Sequence, residues 1–253
     1  MTPITGCVIS LDEEDRIEHC LRSLSFCDEV VVLDSGSSDR TRQLAEACGA
    51  RVETQDFLGY SAQKQRCVDL ALHDWIFSLD CDEAVTEELS VELRSLARHG
   101  LAANGPAGFR VPRRNIYLGR AMRHGTFWPD RKLRLFDRRR ARWGGTNPHD
   151  RVELIGAHPI EDLNAAIEHI SYRSLDEHRD TVQRFAEVAA EAMAAEGQSA
   201  GSLSPWSRGT AALFKSLVLK VGFLEGWRGF LAAWMSARYD FRKYALLRSR
   251  KPS

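Results

Sequence analysis

Two patterns of apolar residues alternate in the first third of the chain. Short runs rich in apolar and β-branched residues predict strands at Ile4–Ser10, 29–33, Arg51–Thr54 and 75–79. The segments between them carry apolar residues at helical spacing and predict helices that begin near residues 12, 41 and 59. Strands that alternate with helices imply right-handed crossovers and a parallel sheet, which is the α/β class.

Acidic residues follow three of these strands. Asp12 and Glu14 come after the first, Asp34 follows the second, and Asp80 and Asp82 follow the fourth. The carboxyl ends of parallel strands lie at one edge of a sheet, where open α/β folds bind their ligands, so we expect the acids to gather there. An Asp-x-Asp pair offers hard oxygen ligands to a divalent cation that also binds phosphate.

The Asp-x-Asp pair also has an ordinary structural interpretation. Asp80 can start a turn, and Asp82 can cap a helix that follows near Thr86. The chain has neither a G-x-G-x-x-G turn nor a G-x-x-x-x-G-K-[ST] loop, so phosphate is not expected at a glycine-rich helix N-terminus. At an acidic edge a nucleotide needs a bridging metal and basic side chains, for which Lys64 and Arg66 are candidates.

Three segments, taken together and in order, point to a family. Residues 12–14 follow a strand, residues 31–41 are Val-Val-Leu-Asp-Ser-Gly-Ser-Ser-Asp-Arg-Thr, and residues 77–83 are Phe-Ser-Leu-Asp-Cys-Asp-Glu. They resemble the signature of the family 2 inverting glycosyltransferases. The further segments 56–64, 129–136 and 169–174 resemble bacterial lipopolysaccharide core β-1,4-glucosyltransferases, and the resemblance covers nearly the whole chain. It implies the GT-A fold, a mostly parallel sheet flanked by helices, here with a C-terminal amphipathic helical extension.

The resemblance also implies a donor site and a metal site. The residues expected to contact a nucleotide-sugar donor are Asp12, Glu14, Asp34, Lys64 and Asp80. The residues expected to hold Mg²⁺ or Mn²⁺ are Asp80, Asp82 and His169. For His169 an ordinary buried, hydrogen-bonded histidine is an equal alternative.

A glycine-containing segment before Asp150 resembles the part of these enzymes that presents the catalytic base to the acceptor. The resemblance implies that Asp150 is the base and that Gly145 and His149 contact the acceptor. Related enzymes more often have His-Glu where this chain has His149-Asp150, so the carboxylate here is shorter by one methylene. Inverting transfer is a single displacement that needs a base but no enzyme nucleophile. The structural alternative is a loop carboxylate paired with Arg151 or a nearby arginine.

Basic and aromatic residues are interleaved in the middle of the chain. Their irregular spacing and the breaks at Pro112 and Pro129 predict loops, which suit an acceptor pocket better than a nucleic-acid surface. We assign Trp128, Arg131 and Arg134 to that pocket, where a phosphorylated sugar would meet cations and a flat apolar face. A solvated basic surface is the alternative for any single arginine.

The last part of the chain has a purely helical pattern. Residues 175–196 predict a packing helix, a small-residue linker follows, and residues 206–248 combine many apolar and aromatic side chains with Lys and Arg. Basic, aromatic-rich amphipathic helices lie in membrane interfaces that contain anionic lipid. A helical cap on the core or an oligomer contact is the alternative.

These patterns divide the chain into three parts. They are a catalytic domain over 1–174, with a nucleotide-binding half (1–85) and an acceptor half (86–174), a packing helix and linker over 175–203, and a membrane-association segment over 204–253. Formal charge sums to zero, but acids concentrate early and bases late. Six cysteines without small-scaffold spacing indicate reduced thiols, and no signal-peptide pattern or spanning apolar run is present. We expect a cytoplasmic protein, peripheral on the inner face of the inner membrane.

The resulting functional expectation is metal-dependent transfer of a sugar to a lipid-linked acceptor. The resemblance favours glucose from a UDP-sugar and the inner core of lipopolysaccharide. A transferase for another cell-envelope polysaccharide, a non-catalytic nucleotide-sugar-binding protein and a membrane scaffold are alternatives. A sugar nucleotidyltransferase is disfavoured, because its N-terminal glycine-rich phosphate loop is missing. Oligomeric state is not predicted.

Overall fold

A computed structural model describes residues 1–101, 104–146 and 149–250, without the side chains of Thr146 and His149. The described residues form two compact units. The first comprises those of Met1–Arg113, Arg131–Gly145 and His149–His169. The second comprises mainly those of Arg114–Asp130 and Ile170–Ser253.

Strands and helices alternate at first, and helices predominate at the end. The strands are β1 (Ile4–Ser10), β2 (Glu29–Asp34), β3 (Arg51–Thr54), β4 (Trp75–Asp80), β5 (Glu83–Val85), β6 (Gly108–Tyr117), β7 (Arg120–Ala121), β8 (Arg131–Asp137), β9 (Ala141–Thr146), β10 (His149–Leu154), β11 (Ile160–Asp162) and β12 (Ile167–Tyr172). The α-helices are α1 (Ile17–Ser23), α2 (Thr41–Ala47), α3 (Tyr60–Asp69), α4 (Glu87–His99), α5 (Leu175–Ala195), α6 (Ser204–Phe214) and α7 (Trp227–Ser249). The predicted α/β class is confirmed.

The main sheet is parallel in one half and antiparallel in the other. Its strand order is β3-β2-β1-β4-β8-β6-β12-β5, and the pairs from β3 to β4 are parallel. β8 is antiparallel to both β4 and β6. β9 and β10 form a separate two-stranded sheet. The apolar runs predicted the parallel strands, whereas the antiparallel half was not predicted.

The parallel strands are buried on both faces. Along β2, Val32 packs into one hydrophobic cluster together with Leu21 of α1 and Leu89 of α4. Its neighbours Val31 and Leu33 pack into a second cluster that contains Cys67 and Val68 of α3. Because alternate side chains of a strand point to opposite faces, a continuous β-branched run fills both cores at once.

Two predictions of local structure are wrong. The first helix begins at Ile17 rather than near Asp12, because Asp12 has a left-handed backbone (φ 53) and its loop bonds to the next loop. The middle basic segment forms strands, and Pro112 lies inside β6, paired with Arg131 of β8. Its buried Phe109 and Val111 alternate with exposed Arg110, the two-residue period of a half-buried strand.

The predicted packing helix is present as α5, which Ser174 caps by accepting a hydrogen bond from the backbone N–H of Glu177. The last segment is not one continuous helix. Between α6 and α7 lie a π-helix (Lys215–Leu219) and a 3₁₀ turn (Gly222–Glu225). Among the described residues, no helix combines the length and apolar character needed to cross a membrane.

Candidate active site

The acidic ends of the parallel strands meet at one edge of the sheet, as expected. In the strand register, Ser10 of β1 lies beside Asp34 of β2, and Ile9 lies beside Asp80 of β4. The end of β1 is therefore flanked by the two acids that the sequence assigned to the donor. Asp34, Asp80, Asp82 and Asp150 all belong to the first unit.

Asp34 is fully buried, and both its carboxylate oxygens bind the protein itself. Oδ1 accepts from the backbone N–H groups of Gly36 (3.0 Å) and Ser37 (2.8 Å). Oδ2 accepts from the hydroxyls of Ser10 (2.9 Å) and Ser37 (2.5 Å). Gly36 supplies the left-handed turn (φ 95) that directs these amides at the carboxylate. Asp34 thus shapes the loop on which a ligand would lie.

The first two acidic loops are bonded to each other. Asp12 Oδ1 accepts from the backbone N–H of Ser38 at 2.8 Å, and the Asp12 N–H donates to the Ser37 hydroxyl at 2.9 Å. Glu14 Oε2 accepts from Arg40 Nε at 3.1 Å. These reciprocal bonds fix the two loops as one rigid edge rather than leaving Asp12 and Glu14 as isolated ligands.

Lys64 joins two carboxylates that are far apart in the sequence. Its ammonium nitrogen lies 2.7 Å from Asp80 Oδ1 and 2.8 Å from Asp150 Oδ2. It also lies 4.6 Å from the centre of the Trp143 ring, a cation–π distance. Lys64 is buried on α3, so its charge has these partners in place of water.

Arg134 closes the network on the other side of Asp80. The Nη2 nitrogen of Arg134 donates to Asp80 Oδ2 at 2.7 Å and to Glu83 Oε1 at 2.6 Å. Glu83 also accepts from Arg113 Nη1 at 3.2 Å. Both Asp80 oxygens are thus held by cations. The sequence assigned Arg134 to the acceptor pocket, but its guanidinium is buried among these acids.

Charge pairing outweighs burial in this network. Burial by itself would raise the pKa of Asp80, but Lys64 and Arg134 hold that pKa well below its usual range. Burial opposes the charged form of Lys64, yet Asp80 and Asp150 raise the Lys64 pKa above its ordinary value despite the nearby Arg134. Burial likewise opposes the Arg134 charge, and Glu83 and Asp80 more than offset it, so the Arg134 pKa is raised. All three groups are charged near neutral pH.

Asp82 and His169 form a second, more open pair. Asp82 Oδ2 lies 3.2 Å from His169 Nε2, which reaches it from β12. Neighbouring ligands of an octahedral cation with bonds of about 2.1 Å lie about 3 Å apart, so an oxygen and a nitrogen at this distance fit Mg²⁺ or Mn²⁺. Within the described part of the chain, no group of three or more His, Cys, Asp or Glu side chains is arranged to hold a metal. Asp82 does not cap α4, because that cap is Thr86.

Asp150 is the second residue of β10, not part of a loop. Its structural alternative, a pair with Arg151, is not what is observed, because Arg151 bonds Glu153 at 2.8 Å while Asp150 bonds Lys64. Gly145 has a left-handed backbone (φ 87) at the end of β9. The His149 side chain lies outside the described residues.

The remaining residues assigned to the acceptor have different positions. Arg131 is half-exposed and donates to the backbone carbonyl of Leu163 at 2.9 Å. Trp128 belongs to the second unit and is 38% exposed. Two residues of the network, Arg113 and Trp143, were not predicted from the sequence. Their signal was weak, since each is an unremarkable residue of an unpredicted strand.

Residues 6–155 match the family model described as glycosyl transferase family 2, which spans more than half of the chain and includes Asp34, Lys64, Asp80 and Asp150. The chain belongs to this family. It is therefore a glycosyltransferase, and its sheet with flanking helices is the GT-A fold.

Two curated relatives agree with this family. A protein named "Uncharacterized glycosyltransferase" from Rickettsia bellii is 26% identical over 97% of this chain and 86% of its own length. The "Lipopolysaccharide core biosynthesis glycosyltransferase LpsC" of Rhizobium meliloti is 33% identical over 56% of this chain and 53% of its own length. This chain is thus similar to a lipopolysaccharide core enzyme over about half of the length of each protein.

Solved structures add evidence on the fold. TarS 1-349 of S. aureus covers 95% of this chain and 91% of its own, at 12% identity and a TM-score of 0.50, which shows similarity of fold only. Glucosyl-3-phosphoglycerate synthase from Mycobacterium tuberculosis, crystallised with Mn²⁺ and UDP, is 26% identical over 47% of this chain and 45% of its own, with a TM-score of 0.35. A similarity of that size has no bearing on function here.

Proposed function

We propose that this glycosyltransferase moves a hexose, with glucose favoured, from a UDP-sugar to the inner core of lipopolysaccharide or a similar lipid-linked glycan, with inversion at the anomeric carbon. The name of the Rhizobium meliloti relative, a lipopolysaccharide core enzyme, supports this acceptor class. The sequence resemblance supports the donor.

The observation that carries the proposal is the link from Asp80 through Lys64 to Asp150, with separations of 2.7 and 2.8 Å. Asp80 belongs to the Asp-x-Asp motif assigned to the donor, and Asp150 is the assigned base. A displacement reaction needs the leaving group and the attacking hydroxyl on opposite sides of one carbon, within a few ångströms of each other. One buried lysine that touches both acids supports a single reaction centre.

We propose that Asp82 and His169 would hold Mg²⁺ or Mn²⁺. When bound, the ion neutralises the negative charge that develops on the departing diphosphate. Asp80 has a different part in this assignment. Because Lys64 and Arg134 hold both its oxygens, it positions those two cations beside the diphosphate rather than binding the ion itself.

Asp150 removes the proton of the acceptor hydroxyl as that oxygen attacks the anomeric carbon. Lys64 donates to Oδ2 and so orients the carboxylate, which leaves Oδ1 to take the proton. The bond from the anomeric carbon to the diphosphate oxygen breaks in the same displacement. No covalent enzyme intermediate is formed, and the products are the inverted glycoside and the nucleoside diphosphate.

We also propose that the enzyme works as a peripheral protein at the cytoplasmic face of the inner membrane, where a lipid-linked acceptor is presented. Trp128, Arg131, Gly145 and His149 stay assigned to the acceptor. In the first unit the guanidinium of Arg131 is half-exposed, and in the second unit part of the Trp128 ring is exposed.

The test is transfer from a panel of nucleotide sugars, including UDP-glucose, to purified lipopolysaccharide inner core, with and without divalent metal. We expect one donor to be used, only with metal, and activity to be lost in Asp82→Asn and Asp150→Asn. Asp69→Asn, an exposed acid at the end of α3, is the matched control and should keep wild-type activity. Transfer to another envelope polysaccharide but not to inner core would favour the alternative acceptor. Full activity in Asp150→Asn would refute the base assignment.

A further inference from the structure

An exposed apolar surface lies in the second unit, between the end of the π-helix and the third turn of α7. We call it the apolar tip and define it by Leu219, Phe223, Leu224, Trp227, Phe230 and Trp234. Each of these side chains is between 50% and 69% exposed. Single exposed apolar residues are common on soluble proteins, but six large ones in sixteen consecutive positions are not.

Close backbone packing holds the tip together. A Cβ on Gly222 would lie 2.6 Å from the carbonyl oxygen of Ser216, and a Cβ on Gly229 would lie 1.9 Å from the carbonyl oxygen of Gly222. The π-helix, the 3₁₀ turn and the start of α7 therefore meet at Gly222. Val221, just before it, has a left-handed backbone (φ 47) between the π-helix and the 3₁₀ turn.

The apolar side chains flank this meeting point. Phe223 and Leu224 follow Gly222 directly, and Leu219 precedes it by three residues. Trp227, Phe230 and Trp234 are spaced by three and four positions on α7 and so lie on one face of that helix. The exposed apolar side chains therefore come from three elements that pack together at Gly222, and those of α7 lie on one face of that helix.

The charges around the tip have one sign. Lys215, Lys220 and Arg228 lie within or next to it, and Glu225 is the one acidic residue between positions 197 and 239. Glu225 is buried, and its Oε1 accepts from the backbone N–H of Arg123 at 2.8 Å and lies 2.9 Å from His124 Nδ1. The exposed part of this surface is therefore apolar and cationic.

We propose that the apolar tip inserts into the interfacial layer of a bilayer that contains anionic phospholipid, while Lys215 and Lys220 bind lipid phosphates; the guanidinium of Arg228 already donates to the Leu118 carbonyl oxygen. Aromatic rings are suited to the boundary between headgroups and acyl chains, and long basic side chains extend from there to the phosphates. A second copy of the chain suits this surface less well. A twofold contact would bring together two copies of a cationic surface whose one nearby acid, Glu225, is buried. The inference deepens the proposed membrane location by naming the residues that touch lipid, and it does not require transferase activity.

Flotation of the full chain with lipid vesicles tests the proposal without donor or acceptor. Vesicles of phosphatidylcholine alone are compared with vesicles containing about one third phosphatidylglycerol. We expect wild-type protein to bind the anionic vesicles at least about tenfold more tightly, and Leu219→Asp and Phe223→Asp to lose about tenfold or more of that binding. Lys215→Glu with Lys220→Glu should remove the preference for anionic lipid.

The matched control is Leu72→Asp, a change at an equally exposed leucine (72%) in the first unit. It should bind vesicles like wild type. If the tip variants bind like wild type, if Leu72→Asp loses as much binding as they do, or if wild-type protein does not bind, the proposal is wrong. The proposal is also wrong if the tip variants only convert a dimer to a monomer and leave vesicle binding unchanged.

Tryptophan fluorescence gives a second measurement that does not depend on how an aspartate variant folds. Lipids brominated in the upper acyl chain should quench wild-type emission, and replacing Trp227 and Trp234 by Phe should remove most of that quenching. The buried Trp75 should contribute nothing. Equal quenching in wild type and in the double variant would overturn the insertion. Because the assay needs no turnover, a failed transferase assay with intact quenching would separate this inference from the proposed reaction.

Discussion

Lys64 Nζ lies 2.8 Å from Asp150 Oδ2, although the two residues are 86 positions apart. The same nitrogen lies 2.7 Å from Asp80 Oδ1. A helix residue thus joins the end of β4 to the start of β10. In the proposed mechanism this relationship makes Lys64 a positioning residue, since its contacts orient the assigned base relative to the donor motif.

Lys64→Met should lower kcat/KM by about 10² to 10³-fold, because the base loses its fixed orientation and two acids lose a shared cation. Steady-state transfer kinetics would measure the change. Lys64→Arg keeps the charge and should recover part of the activity.

Arg66, the other basic candidate from the sequence, is exposed and lies two residues from Lys64 on α3, about 200° around the helix, so Arg66→Met is the control for that loss. It should behave as wild type. Equal losses in Arg66→Met and Lys64→Met would mean that general positive charge on α3, and not the Lys64 contacts, supports activity.

Asp82→Asn and His169→Gln should each weaken Mn²⁺ binding at least about tenfold, since each removes one protein ligand. The signal of free Mn²⁺ in electron paramagnetic resonance, measured in the presence of UDP, reports binding without turnover. Asp80→Asn should weaken it less, because Lys64 and Arg134 already hold both Asp80 oxygens.

His19→Gln, at an exposed position on α1, should leave Mn²⁺ affinity unchanged. If Asp80→Asn proves as damaging as Asp82→Asn, Asp80 must turn toward the ion when the donor binds. The assignment of its oxygens to Lys64 and Arg134 would then hold only without donor.

The parallel half of the fold could be predicted from sequence because a strand that is buried on both faces is a nearly continuous apolar run. The run Val30 to Leu33 is β-branched or aliphatic throughout, and its strand is observed one residue longer than predicted. β6 was missed because its arginines were interpreted as a pocket, although Phe109 and Val111 alternate with Arg110. The break between α6 and α7 depends on close backbone packing at Gly222, and the spacing of apolar residues along the sequence does not reveal such packing.

The site was predictable only in part, for a similar reason. Asp80 and Asp82 could be predicted as site residues because acids at the carboxyl end of a parallel strand lie at the ligand-binding edge of the sheet. The sequence cannot place Arg134, because burying an arginine is favourable only where acids such as Glu83 and Asp80 already converge, and those contacts are tertiary. For Asp34 the motif gave the position, whereas the bonds that occupy its oxygens come from the folded loop.

Gly229→Ala should destabilise the second unit by about 1 to 2 kcal/mol. Alanine improves helix propensity by about 1 kcal/mol, but its Cβ would lie 1.9 Å from the Gly222 carbonyl oxygen, and overpacking against backbone costs about 1 to 3 kcal/mol or more. Urea unfolding measures the difference. Gly201→Ala, whose Cβ would meet nothing closer than 3.7 Å, should be nearly neutral. Equal stability of the two variants would show that α7 shifts freely.

His178 should make the stability of the second unit depend on pH. Its Nδ1 lies 2.9 Å from the Tyr117 hydroxyl, and its ring stacks on Tyr172 with centroids 3.9 Å apart. Burial lowers the His178 pKa from 6.5 to about 4, and Glu177 opposes this only weakly. Below pH 6.5 the unfolded chain gains a proton that the folded chain gains only near pH 4. Stability is therefore complete above pH 6.5, falls by roughly 3 kcal/mol as the pH drops to about 4, and then levels off.

The comparison of wild type with His178→Asn isolates this contribution from those of the carboxylates, because asparagine does not titrate. Urea unfolding between pH 7 and pH 4 should show wild type losing roughly 3 kcal/mol more than the variant. Tyr117→Phe provides the control. It removes the hydroxyl partner of the imidazole but keeps the titrating group, so it should lower stability at every pH while the wild-type slope persists. Parallel curves for wild type and His178→Asn would mean that the imidazole is protonated as easily in the folded chain as in the unfolded one, and that the aromatic cluster does not keep it neutral.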